Sequence, residues 1–193
     1  MFDHLRVRFA WVLLAIFLGF GAVVLAGQDE KQEREQFSAT IMGTMGPTAG
    51  RMIPIDIYVE GTTTDEQVME YAELLMEGGQ QPLRRALEKV KIGRIAPRGR
   101  IGNDIAIVRI VKTDKGTSYR MVTARVMPFL ELYYGGRSTD HPFGVMEFTV
   151  DEEGKGEGVI IGAARLKFDE DGVLQITSYG HGALKLVNIR KYD

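Results

Sequence analysis

From Ile92 to the C-terminus the chain repeats one pattern, a short stretch of alternating apolar and polar residues followed by a turn rich in Gly and Asp. Asp114-Lys115-Gly116 leads into residues 119–127, and residues 151–156 join 143–150 to 159–168. Asp169-Glu170-Asp171-Gly172 leads into 173–179, and Gly180-His181-Gly182 into 184–189. Parallel neighbours need crossovers of a dozen residues or more, which connections this short cannot supply. The spacing therefore predicts an antiparallel meander.

Upstream, Ile53, Ile55, Ile57 and Val59 alternate with Pro54, Asp56 and Tyr58, which predicts a strand with one aliphatic face. Pro54 lacks a ladder donor and places this strand at an edge or a bulge. Residues 37–45 are expected to pair with it across a turn at 46–50. Ile105, Ile107 and Val111 alternate further on, with Arg109 interrupting the apolar set. The glycines of 154–158 read as hairpin residues, since a strand-like sequence follows them and a phosphate loop would need a helix there.

Between these stretches the period changes from two to 3.6. Thr64 and Gln67 have capping-box spacing, and Val68, Tyr71, Ala72 and Leu75 form one helical stripe. Gly78-Gly79 stops that helix, and Pro82 suits the first turn of a second, with Leu83, Ala86, Leu87 and Val90 on one face. Each helix is about three turns, too short to be stable alone, and must lie on a sheet. The fold class is α+β: a mainly antiparallel β-sheet, barrel-like or sandwich, with a two-helix insertion after the second strand packed on one face.

The N-terminus carries Arg6 and Arg8, then an uncharged apolar run from Phe9 to Leu25, then small residues at Ala26 and Gly27. This is the layout of a secretory signal, with a cut expected after Ala26. The alternative is an uncleaved anchor over residues 9–25, close to the roughly 20 apolar residues that span a bilayer. The expected division is a signal at 1–26, a charged leader at 27–36 and one domain at 37–193. The chain has no cysteine, so an exported form uses no disulfides. A domain of that length buries about 70% of its unfolded surface without staples.

Charge is informative locally. Cleavage would leave 22 basic against 25 acidic side chains, a net of −3. Residues 84–100 hold seven cations, namely Arg84, Arg85, Lys89, Lys91, Arg94, Arg98 and Arg100, against Glu88 alone. A chain polarised in this way orients toward an anionic partner. Nucleic acid is not expected as a partner of an exported protein.

No sequence motif specifies catalysis. His141 precedes Pro142 and His181 sits between glycines, and no serine has the glycine elbow of a nucleophile. Glu131 and Glu147 would need the fold to unite them before they could serve glycoside hydrolysis. The turn at 169–172 lacks the remaining ligands of a calcium loop, so no metal and no cofactor are expected. Two stretches remain as binding candidates. One is the basic turn with Arg94, Arg98 and Arg100, whose guanidinium groups suit carboxylate, sulfate or phosphate. The other is the long connection 128–142, with Tyr133, Tyr134, Arg137, Asp140 and His141, an aromatic lip beside charges.

Elements at 143–148, 154–158, 169–172 and 184–190, together with Gly93-Arg94-Ile95 and residues 138–143, resemble a group of small exported bacterial proteins of unknown function. The resemblance implies export and implies no activity. The reading is an exported non-enzymatic domain that binds a small ligand, a glycan or an envelope partner. Its alternatives are a hydrolase with a dispersed site or a structural component of the envelope. A membrane enters only through the N-terminal segment if it stays uncleaved.

Overall fold

The computed structural model describes residues 34–44, 49–131, 138–180 and 182–192. The N-terminal segment expected to direct export lies outside them, as do Tyr133, Tyr134, Arg137 and His181. Among the described residues the strands are β1 (Glu35–Met42), β2 (Met52–Val59), β3 (Gly93–Pro97), β4 (Asn103–Thr113), β5 (Gly116–Thr123), β6 (Phe143–Val150), β7 (Lys155–Phe168), β8 (Leu174–Ser178) and β9 (Leu184–Lys191). The helices α1 (Asp65–Gly78) and α2 (Gln80–Leu87) lie between β2 and β3.

All pairings are antiparallel, in the order β6-β5-β4-β3-β2-β1-β9-β7-β8, and β6 also pairs with β7. That last ladder closes eight strands into a barrel and leaves β8 as an appendage on the far half of β7. β1, β3, β5 and β7 run toward one rim, called here the turn rim. The opposite rim carries both ends of the helical insertion and the tight turn between β4 and β5.

Inward residues fill the barrel. Phe37, Ile41, Ile55, Ile57, Ile95 and Ile105 are fully buried, and Met121, Met146 and Phe148 are nearly so. At the insertion rim, Phe37, Tyr119 and Phe148 meet with ring centroids 4.9 to 5.1 Å apart. The Tyr119 hydroxyl donates to Glu35 at 2.9 Å, and Lys191 pairs with the same carboxylate oxygen. Burial, then the Glu35 charge, raises the Tyr119 phenol well above its usual range. At the turn rim, a 3₁₀ turn at Pro128–Leu130 places Met127 and Leu130 in the barrel core, both fully buried. Met127 N–H donates to Gly162 O at 2.8 Å, and Asn103 Nδ2 donates to Val126 O at 2.9 Å.

The helices lie outside the wall. Tyr71, Leu75, Leu83 and Leu87 join Ala106, Ala124, Phe143 and Leu166 in a second core. α1 starts with the expected reciprocal cap, Thr64 to Gln67. Gln80 docks α2 by a paired amide contact: its Nε2 donates to Leu166 O, and its Oε1 accepts the Leu166 N–H at 3.1 Å. This side chain replaces a strand neighbour where β7 has passed the end of β6.

Four local expectations are corrected. β2 is an interior strand, paired on both sides; the Pro54 carbonyl takes Arg98 N–H at 3.0 Å, so its missing donor faces the side where β3 has already turned away. Arg109 does not interrupt an apolar face. A bulge between Ile105 and Ile107 shifts the phase, so Ile105, Val108 and Ile110 belong to the barrel core and Arg109 points out to Asp65. Gly156 and Gly158 belong to β7 rather than to a hairpin turn. The final residues of the leader, Glu35 and Gln36, already pair in β1.

The second core makes a direct prediction. Leu87→Ala should cost about 2–5 kcal/mol of stability, and Leu87→Asp or Leu75→Asp more, because each buries an unpaired charge. Urea midpoints unchanged by either aspartate would refute the helix placement.

Candidate functional site

The described binding candidates fall into two neighbourhoods and one outlier. Arg98 and Arg100 stand in the turn between β3 and β4, at the turn rim. Asp140 and His141 stand just before β6, at the same rim, with β4 and β5 between them and the basic turn. Arg94 is the outlier: it sits near the insertion end of β3, its guanidinium 5.0 Å from the Tyr58 ring centroid in a cation–π contact.

The basic stretch is partly neutralised by the fold. Arg84 pairs with Glu88 at 2.7 Å, Lys91 with Asp104 at 3.0 Å and Arg98 with Asp56 at 3.4 Å. The 3.4 Å contact leaves the exposed guanidinium of Arg98 with donors to spare. Arg100 is exposed, and its backbone N–H closes the turn onto Pro97 O at 3.0 Å. Sequence separation alone could not locate Asp56, which comes from 42 residues upstream through the β2–β3 register.

Around His141 the arrangement is a clasp within one turn. The Ser138 hydroxyl lies 2.9 Å from His141 Nδ1 and accepts the Asp140 N–H at 3.3 Å. The His141 ring packs against Tyr179 with centroids 5.5 Å apart. Burial and the nearby Arg165 cation hold its pKa below the usual 6.5, with Asp140 opposing them. The Ser138 hydroxyl thereby ties the Asp140 backbone to the His141 ring. Glu147, the other carboxylate of interest, accepts from Arg120 Nε at 2.9 Å.

No group of three or more metal-ligating side chains occurs among the described residues. An open groove of about 400 Å³ lies over the β7–β9 seam, lined by Lys155, Glu157, Asn188 and Arg190 among others. Its mixed charge favours neither sign of ligand, and Lys155 is engaged by Glu153 at 2.7 Å. The residue to which sequence reasoning gave no role is Ile101, which is 95% exposed in the basic turn. Comparison with protein-family models, with curated proteins and with solved structures finds no match.

The His141 site predicts a pH dependence with a definite sign. Its folded pKa is depressed, so the unfolded chain takes up the proton first as pH falls. The contribution is complete above about pH 6.5 and is lost as pH falls through the lower folded value. Thermal midpoints should fall more steeply below about pH 6.5 in the native chain than in His141→Asn. Parallel curves would show that burial of this ring has no such effect.

Proposed function

We propose that the domain is an exported, non-enzymatic binding module that meets an anionic partner on its outer surface, at the turn rim. The observation that carries this reading is the filled barrel. Aromatic and aliphatic side chains occupy the interior, with Met127 and Leu130 under one mouth and the Phe37–Tyr119–Phe148 cluster under the other. A packed barrel of this size has no room for an enclosed ligand, which favours a glycan, a lipid headgroup or an envelope protein over a small buried molecule. Arg98 and Arg100 supply planar guanidinium groups where the chain turns, accessible from outside. Localisation outside the cytoplasm follows from the N-terminal segment in this reading.

Chromatography on a heparin resin, with the full chain in mild detergent, tests the reading. Arg98→Ser/Arg100→Ser should elute at clearly lower salt than the native chain. Lys112→Ser/Lys115→Ser, which removes the same charge near the opposite rim, should elute close to it. Equal shifts for both pairs would reduce the attraction to net charge and overturn the proposal.

A further inference from the structure

The rim that bears Arg98 and Arg100 also bears exposed apolar side chains, which an anion site alone does not need. Ile101 is 95% exposed and Met52 is 62% exposed. The chain places Ile101 directly after Arg100 and Met52 directly after Arg51, and the register puts Lys185 two strands from Met52. Met52 lies opposite Met42 on β1, and Met42 lies opposite Lys185 on β9. The Arg98 N–H bond to Pro54 O holds the β3–β4 turn beside the first residues of β2, next to Arg51.

The exposure of Ile101 is imposed by the turn. Arg100 closes the turn onto Pro97, Gly99 takes a φ of +73°, and Gly102 lies directly on the β3 backbone. A Cβ at Gly102 would stand 1.9 Å from Ile95 O, so only glycine lets the chain fold back this tightly. The residue before it is thereby pushed off the wall. One exposed apolar residue is ordinary, but a rim that carries Ile101 beside Arg98 and Arg100, and Met52 beside Arg51, is suited to a surface that is both anionic and apolar.

We propose that this rim docks on an anionic phospholipid surface. Ile101 and Met52 enter the boundary between headgroups and acyl chains, while Arg51, Arg98, Arg100 and Lys185 face the phosphates. The inference rests on the anionic-partner reading above and names the partner. A glycan or an acidic peptide satisfies the guanidinium groups but offers little to the two apolar tips; a lipid layer satisfies both. The acidic turn at residues 169–171 stands across the mouth, on the β7–β8 side. Like-charge repulsion there tilts the barrel so that the side formed by β1, β2 and β3 approaches the surface, within reach of a Debye length of about 10 Å at 0.1 M salt.

Because the chain lacks cysteine, Ile101→Cys provides a single site for an environment-sensitive fluorophore on the full-length protein. Lys115→Cys, in the turn at the opposite rim, is the control. A local probe reports the rim even if the N-terminal apolar segment tethers both proteins to every vesicle. Vesicles of phosphatidylglycerol and phosphatidylcholine should shift the residue 101 emission to the blue and intensify it. Pure phosphatidylcholine should not, and the residue 115 probe should respond to neither. Adding Arg98→Ser/Arg100→Ser to the labelled chain should abolish the shift. Three results would overturn the inference: no shift at residue 101, an equal shift with neutral lipid, or a shift that follows protein concentration without vesicles, which marks a second copy as the occupant. If heparin retention still depends on Arg98 and Arg100 when the shift is absent, the anionic-partner reading survives and the lipid inference alone fails. Loss of both effects removes both.

Discussion

The ladder from β7 to both β6 and β9 is the constraint on which the molecule depends. An open sheet of this length would leave two rows of unpaired backbone groups, whereas closure pairs the free edge of β6 with β7. The seam admits little bulk. A Cβ at Gly156 would stand 1.9 Å from Thr149 O, and one at Gly158 would stand 2.2 Å from Glu147 O. Glycine at both places lets β7 sit against β6 while its other edge pairs with β9. Beyond Ala164 the strand leaves the wall and takes β8 as its partner. There Gln80 occupies the edge that β6 no longer covers, and this docks the helical insertion against the barrel.

Closure also sets the interior volume, and bulges adjust the wall to it. On β9, two residues separate the partners of Gly156 and Gly158 where one would be regular, and Asn188 takes a φ of +54°. The phase shifts there, so Leu184, Leu186 and Ile189 all join the barrel core despite their uneven spacing. β4 behaves alike at Ala106 and Ile107, and β7 at Gly162 and Ala163. In each case one residue is added to the outer face so that the next apolar side chain again points inward.

These bulges mark where the sequence stops being legible. The antiparallel meander, the position of the insertion and the Thr64–Gln67 cap could be read from periodicity and turn chemistry, because those signals are local. Residues 143–150 emerge with the same bounds for that reason. A bulge leaves residue types unchanged and moves only their phase, so Arg109 looked like a flaw in a buried face. Closure is illegible for a related reason: alternation is the same in an open sheet and in a barrel, and the pairing of β7 with β9 joins segments whose match no local pattern encodes. At the rim, Arg98 and Arg100 were visible as charge. Ile101 was not, because its exposure comes from a backbone approach of Gly102 to β3 that residue type does not reveal.

Plugged mouths separate the packed interior from the exposed turns of this architecture. The side chains that hold the barrel together point inward from the strands, and the turn rim is sealed from beneath by Met127 and Leu130. The side chains of Arg98, Arg100 and Ile101 are exposed and add nothing to either core. Their identities are therefore free of packing demands, unlike Gly102, whose missing side chain shapes the turn. Where folding leaves a position unconstrained, solubility alone would favour a polar residue over isoleucine. The glycine-dependent turn holds an isoleucine out beside Arg100 with no demand from either core.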